Sequence, residues 1–196
     1  MKFHNYLLMI ALFCGASGLS AVVQADDGDC EIMSSVKKID YGRYRKEDMR
    51  KGSTEYAGKM YNGYASVTRE MQVSVLCPDA RKIRVYIDGV SRQGMAYQFS
   101  NNGAMKIEFK DARVDGHTVQ LASIDRGVVA VQGGSSQVTL KPGKAIAAVS
   151  GAEVAGEQWV ATMMVTTYLS DKAFSVSNTT DLEETLTLNF DTLPAQ

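Results

Sequence analysis

Few residues in this chain have types and spacing suited to covalent or acid–base chemistry. The 196 residues include three cysteines and two histidines. His117 follows Asp115-Gly116, a turn dipeptide, with no Ser or Cys motif beside it. Glu183 and Glu184 are adjacent, so on a strand they point to opposite faces and cannot work on one bond together. The glycines at 127, 133 and 134 lack the spacing that cradles a phosphate ahead of a helix. The chain therefore reads as a non-enzyme with no cofactor. Cys30, Cys77 and His117 are also too few ligands for a closed metal site, so no metal is expected.

The remaining candidate chemistry is a disulfide. A short polar start with Lys2 leads into the apolar run Tyr6–Phe13, and small residues follow down to Val23-Gln24-Ala25. That layout is a secretory signal peptide, and the run is too short to span a bilayer. Cys14-Gly15 resembles a lipoprotein site only faintly, because bulky Phe13 stands where a small residue is expected. Cleavage after Ala25 assigns residues 1–25 to the signal and 26–196 to one mature domain of 171 residues. Cys14 leaves with the signal. An even pair, Cys30 and Cys77, in an exported chain reads as one bridge; two unpaired buried thiols are the alternative.

Composition agrees with a folded, exported domain. Hydrophobic residues make up 45% and charged residues 22%, unlike a disordered chain. The formal charge is −1, or −2 once Lys2 is removed. Neither value gives a general drive toward nucleic acid or an anionic membrane.

The elements that must carry the bridge read as strands. Met71, Val73, Val75 and Cys77 alternate with Gln72, Ser74 and Leu76, and Ile83, Val85 and Ile87 alternate with Arg84 and Tyr86. Met105, Ile107 and Phe109 repeat the pattern, as do Leu186, Leu188 and Phe190. Trp159–Leu169 is long, Thr-rich and β-branched. Asp88-Gly89, Asp115-Gly116, Gly133-Gly134 and Lys141-Pro142-Gly143 supply turns, while Glu47–Lys51 suits one helical turn. Period-two patterns at short intervals predict an all-β sandwich with no interdomain linker.

One region stands apart. Tyr41–Tyr64 holds five of the nine tyrosines, and Lys37–Lys59 carries eight basic and four acidic residues. The last 26 residues carry five acids and one Lys. The plain reading is a solvated loop and an acidic tail. The sharper one is a receptor surface built from Arg43, Tyr44, Arg45, Tyr56 and Tyr61, because Tyr and Arg concentrate binding energy.

Cys30 near a strand start, Ile39-Asp40-Tyr41-Gly42, Met71–Cys77, Lys82-Ile83-Arg84-Val85 and the terminal Leu186–Phe190 together resemble bacterial chaperone–usher pilins. The resemblance is closest to the fimbrial-like subunits with Asp-Tyr-Gly after the first Cys. It spans most of Cys30–Phe190 as spaced short motifs. It implies an immunoglobulin-like (pilin-type) sandwich that lacks its last strand. A periplasmic pilus chaperone fills the gap first, and an outer-membrane usher then exchanges that strand for one from a neighbouring pilus subunit. It places the donor-strand groove between a first strand around Cys30–Met33 and a last strand around Leu182–Phe190, with Ile32, Leu186, Leu188 and Phe190 lining it. The implied function is a subunit of a surface fimbrium with a role in adhesion to a host or surface receptor. A complete exported β-sandwich acting as a soluble monomeric binding module is the alternative.

Two departures bear on position in the pilus. Only Asp26-Asp27-Gly28-Asp29 precede Cys30, and four polar residues cannot plug an apolar groove. Such a subunit accepts a strand without giving one, which suits a tip or minor subunit. Cleavage after Ala16 would instead free Ser17–Asp29, where Leu19, Ala21, Val23 and Ala25 alternate as a donor requires. Related pilins usually end at an aromatic residue, whereas here Asp191–Gln196 follow Phe190, as a continued strand or a frayed tail.

Overall fold

A computed structural model describes residues 29–36, 38–41, 44–91, 94–175, 182 and 184–195. The described chain is nearly all β, with two short 3-10 turns at Lys46–Asp48 and Asp171–Phe174. Thirteen strands follow one another. They are β1 Glu31–Ser34, β2 Arg50–Tyr56, β3 Lys59–Ala65, β4 Arg69–Asp88 and β5 Tyr97–Phe99. Then come β6 Gly103–Val114, β7 His117–Thr118, β8 Gln120–Asp125 and β9 Gln137–Thr139. The last four are β10 Lys144–Ser150, β11 Ala152–Glu153, β12 Ala155–Leu169 and β13 Thr187–Pro194.

Strand β4 organises the molecule. Its first half pairs with β1 on one edge and β12 on the other, and β12 passes the sheet on to β6. Its second half pairs with β13 on one edge and β10 on the other, and β10 pairs onward with β8. Cys77, Pro78, Asp79 and Ala80 lie between the two halves and enter none of these ladders. The proline, which has no N–H to donate, sits where the ladder is interrupted. The two halves thus serve two layers of one hydrogen-bonded sheet.

Alternation explains the core. The odd-numbered side chains Met71, Val73, Val75, Cys77, Ile83, Val85 and Ile87 are buried along the whole length of β4. They join Ile107, Phe109, Leu121, Leu140, Ile146 and Trp159 in one cluster between the layers. Trp159 is fully buried against Phe109, their ring centroids 6.1 Å apart.

The outer face of the second layer is also covered, which single-face alternation does not anticipate. There Val131, Ala147 and Val149 form a smaller buried cluster. Beside it Arg84 donates Nε–H and Nη2–H to the two Glu153 carboxylate oxygens, each at 2.7 Å, and Nη1–H to the Val128 carbonyl, also at 2.7 Å. Both charged side chains are about 95% buried, with 4% and 5% exposed. Arg126 lies 3.7 Å from the centroid of the Tyr86 ring on the same face. The segment after β8 is therefore strapped across the sheet.

Two local devices shape the edges of the first layer. Asp115 and Gly116 have φ of 49° and 80°, the left-handed pair that a two-residue hairpin turn needs. The Asp115 carboxylate then accepts from the backbone N–H groups of Glu157 and Gln158, at 3.0 and 2.8 Å. Those bonds hold the irregularity in β12 where its pairing with β4 shifts register.

Candidate strand-accepting edge

The expected bridge is present: Cys30 and Cys77 are disulfide-bonded. It ties the residue before β1 to the end of the first half of β4. The bridge therefore sits where the β4 ladder breaks.

The two outermost strands share one edge. At Lys82 and Arg81, β4 has β12 on one side and β13 on the other. At Val73–Leu76 it has β12 on one side and β1 on the other. Hence β13 and β1 both lie on the edge of β4 opposite β12. Both run antiparallel to β4, β13 along Asp88 to Arg81 and β1 along Leu76 to Val73. They follow one another along β4, β13 beside its second half and β1 beside its first. Among the described residues neither has a strand on its far side.

This arrangement corrects the geometry implied by the pilin resemblance. The first and last strands do not face each other across a strand-wide gap. They share the outer side of β4, and among the described residues no strand lies beyond either. The last strand also differs from its expected span. Leu182 and Leu186 precede it, and it continues past Phe190 to Pro194, opposite Arg81. Of the two alternatives for the residues after Phe190, the continued strand is the observed one. The signal, Thr192 continuing the alternation of Leu188 and Phe190, is visible in the sequence.

The named side chains point inward. Leu188 lies opposite Ile87, Phe190 opposite Val85, Thr192 opposite Ile83 and Ile32 opposite Val75. Directly opposed residues share a face, and all four β4 partners are core residues. Leu186 packs over Gly89, where any Cβ would collide with it. Ile32, Leu186, Leu188 and Phe190 all pack on the core, yet each stays only partly buried. The deeper residues of β4 and β12, with strands on both sides, reach complete burial, as Val73, Val75, Val85 and Trp159 do. A half-covered apolar row beside unpaired backbone groups is the arrangement that takes an added strand.

The tyrosine-rich region is not a solvated loop. Residues 50–65 form the β2–β3 hairpin, turning at Ala57-Gly58 with φ of 55° and 71°. The tail of β3 pairs with the end of β12. Most of the phenols are committed inside the fold. Tyr41 donates to the Val165 carbonyl at 3.0 Å, Tyr44 shares a 2.8 Å hydrogen bond with Thr167, and Tyr61 donates to the Asn102 carbonyl at 2.6 Å. Tyr41 stacks on Tyr44, Tyr56 meets Tyr61 edge to face, and Tyr64 meets Phe174 the same way. Of the proposed receptor residues, Tyr44, Tyr56 and Tyr61 are thus half-buried packing elements, and Arg45 is exposed. Arg43 lies outside the described residues. The local positive charge is also reduced, because Lys46 pairs with Asp171 from the acidic tail at 2.5 Å.

Burial of these phenols has a measurable consequence. Burial pushes Tyr44 up to about 12, opposed by its Thr167 hydrogen bond. Burial first, and the neighbouring Tyr44 second, push Tyr41 further up, and burial does the same to Tyr97. Above pH 10 the unfolded chain releases these protons while the folded chain keeps them, so the folded state binds more protons and loses stability as pH rises. Stability should stay level up to pH 10 with respect to these groups, then fall as pH rises further, by less than the limiting value of about 1.4 kcal/mol per pH unit for each phenol because Tyr41 and Tyr44 keep part of their surface in water. Denaturant melts across that range, with Tyr44→Phe and Tyr97→Phe flattening the slope, check it.

Among the described residues no three His, Cys, Asp or Glu side chains converge as a metal would require. His117 is exposed on β7, and Glu184 accepts from the Ser100 backbone N–H at 3.2 Å. Glu183 lies outside the described residues. A shallow cleft of about 250 Å³ adjoins the end of β13, between Lys82, Val128, Val129 and Leu193. No protein-family model matches the chain, and a search of curated proteins finds no significant match.

Proposed function

We propose that this chain is a fimbrial subunit that a partner completes by adding a β-strand to the β13–β1 edge. The supporting observation is that among the described residues no strand lies on the outer side of β13 or β1, backed by the half-buried Ile32, Leu186, Leu188 and Phe190. Strand addition supplies affinity through backbone hydrogen bonds and specificity through alternate side chains. An unoccupied edge of this kind invites aggregation. In this reading a periplasmic pilus chaperone covers it first, an outer-membrane usher exchanges that strand, and a neighbouring subunit's strand remains in the surface fimbrium. A tip or minor position, with adhesion as its role, extends the same reading.

The test is expression of the exported chain with and without a periplasmic pilus chaperone. The expected result is co-purification with the chaperone and aggregation without it. Phe190→Asp, which places a charge in the half-buried row, should abolish co-purification. A soluble, stable monomer made without any chaperone would overturn the proposal in favour of a complete binding module. The closed Trp159-centred core between the layers is the feature that favours that second reading.

A further inference from the structure

We infer that the strand taken by this edge carries a cationic side chain opposite Asp29 and Glu31, alongside apolar side chains beside Ile32, Leu188 and Phe190. The inference rests on the strand-accepting reading above and specifies the partner's chemistry. Free edges in soluble proteins are commonly guarded by lysines. Strands β13 and β1 contain no Lys or Arg, and their charged residues are Asp191 and Glu31, both carboxylates.

The two acids differ in their surroundings. Asp191 lies across from Arg84, whose guanidinium is already held by Glu153 and the Val128 carbonyl, and Lys82 stands nearby opposite Leu193. Cations therefore stand behind it. Glu31 has no cation in its own cross-strand row. Its cross-strand partner is Leu76, and Gln158 pairs with Leu76 from the next strand. Asp29 precedes it by two residues and is also exposed. Among the described residues, the edge carboxylates without a cation across from them thus gather at the β1 end, on the outward row, while Ile32 faces the core.

An added strand places its outward side chains next to these carboxylates. Opposite charges across a strand pair attract and like charges repel. The carboxylates stay at the surface, so the pairing avoids the cost of burying an ion and is screened by salt.

The test compares two synthetic peptides of about sixteen residues, the length of β4 from Val73 to Asp88 that the two edge strands flank, against the oxidised exported chain. One alternates apolar residues with Lys and the other with Glu, so that charge falls on the outward row in any register or direction. The Lys peptide should bind about tenfold more tightly at low salt, and the advantage should shrink to about twofold in Asp29→Asn/Glu31→Gln. Asp111→Asn, an exposed acid on β6, should leave the advantage intact. Both variant positions are exposed, and thermal melts confirm that the proteins fold. Equal binding of the two peptides, or an advantage that survives Asp29→Asn/Glu31→Gln, overturns this inference while the strand-accepting reading stands. Failure of both peptides to bind overturns the reading and the inference together.

Discussion

Glu153→Ala should destabilise the fold by about 3–5 kcal/mol, because it leaves the Arg84 guanidinium buried without its counter-charge. The geometry makes the loss large. Glu153 takes two parallel hydrogen bonds from Arg84, and both side chains are almost fully shielded from water. Arginine keeps its proton at any ordinary pH even without a partner, so the group cannot escape by becoming neutral. The third hydrogen bond, to the Val128 carbonyl, means that a displaced guanidinium also frees the strap over the outer face. Replacing both partners by apolar residues of similar volume, Arg84→Met with Glu153→Leu, should cost much less or be neutral, since no unpaired charge remains. Urea unfolding of the single and paired variants checks this. A loss under 1 kcal/mol in Glu153→Ala would mean that water reaches the guanidinium, contrary to its burial.

Removing the Cys30–Cys77 bridge, as Cys30→Ser/Cys77→Ser, should cost about 4 kcal/mol for the closed loop in the chain-entropy model. The sequence separation of 47 sets that value. The structural effect should be confined to one place. Strand β1 has four residues and, among the described strands, pairs with β4 alone. Its release would uncover the outer edge of Val73–Leu76 and strip Ile32 from the core. The β12 side of β4 would remain paired. Amide hydrogen exchange should therefore accelerate in residues 31–34 and 73–76, while β6 and β12 stay protected. Uniform acceleration across both layers would show instead that the bridge supports the whole sandwich.

Much of the β architecture was legible from local pattern. Strand β4 shows the alternation expected of Met71–Cys77 and Ile83–Ile87, and Asp115-Gly116 forms the expected turn. Three parts were not legible, each for a physical reason. Strand β10 is covered on both faces, so Lys144–Ser150 has no alternation to read. The β2–β3 hairpin turns at Ala57-Gly58, and alanine is a rare residue at a positive φ. Strand β4 reads as two strands because Pro78 interrupts it, although the backbone runs on continuously.

The candidate edge divides in the same way. The sequence by itself pointed to Cys30 and Cys77 as the bridged pair, which is the pair observed. It also determined that Leu186, Leu188 and Phe190 would share one face. Both follow from residue type and a two-residue period, which are local properties. Only the tertiary structure decided that β13 and β1 follow one another on the same side of β4, with no described strand beyond them. That depends on pairing between segments about 40 residues apart for β1 with β4 and about 100 residues apart for β13 with β4. The Arg84–Glu153 pair likewise exists only because β4 and the β10–β11 turn meet under the strap. Neither residue's neighbours in the chain mark it for burial.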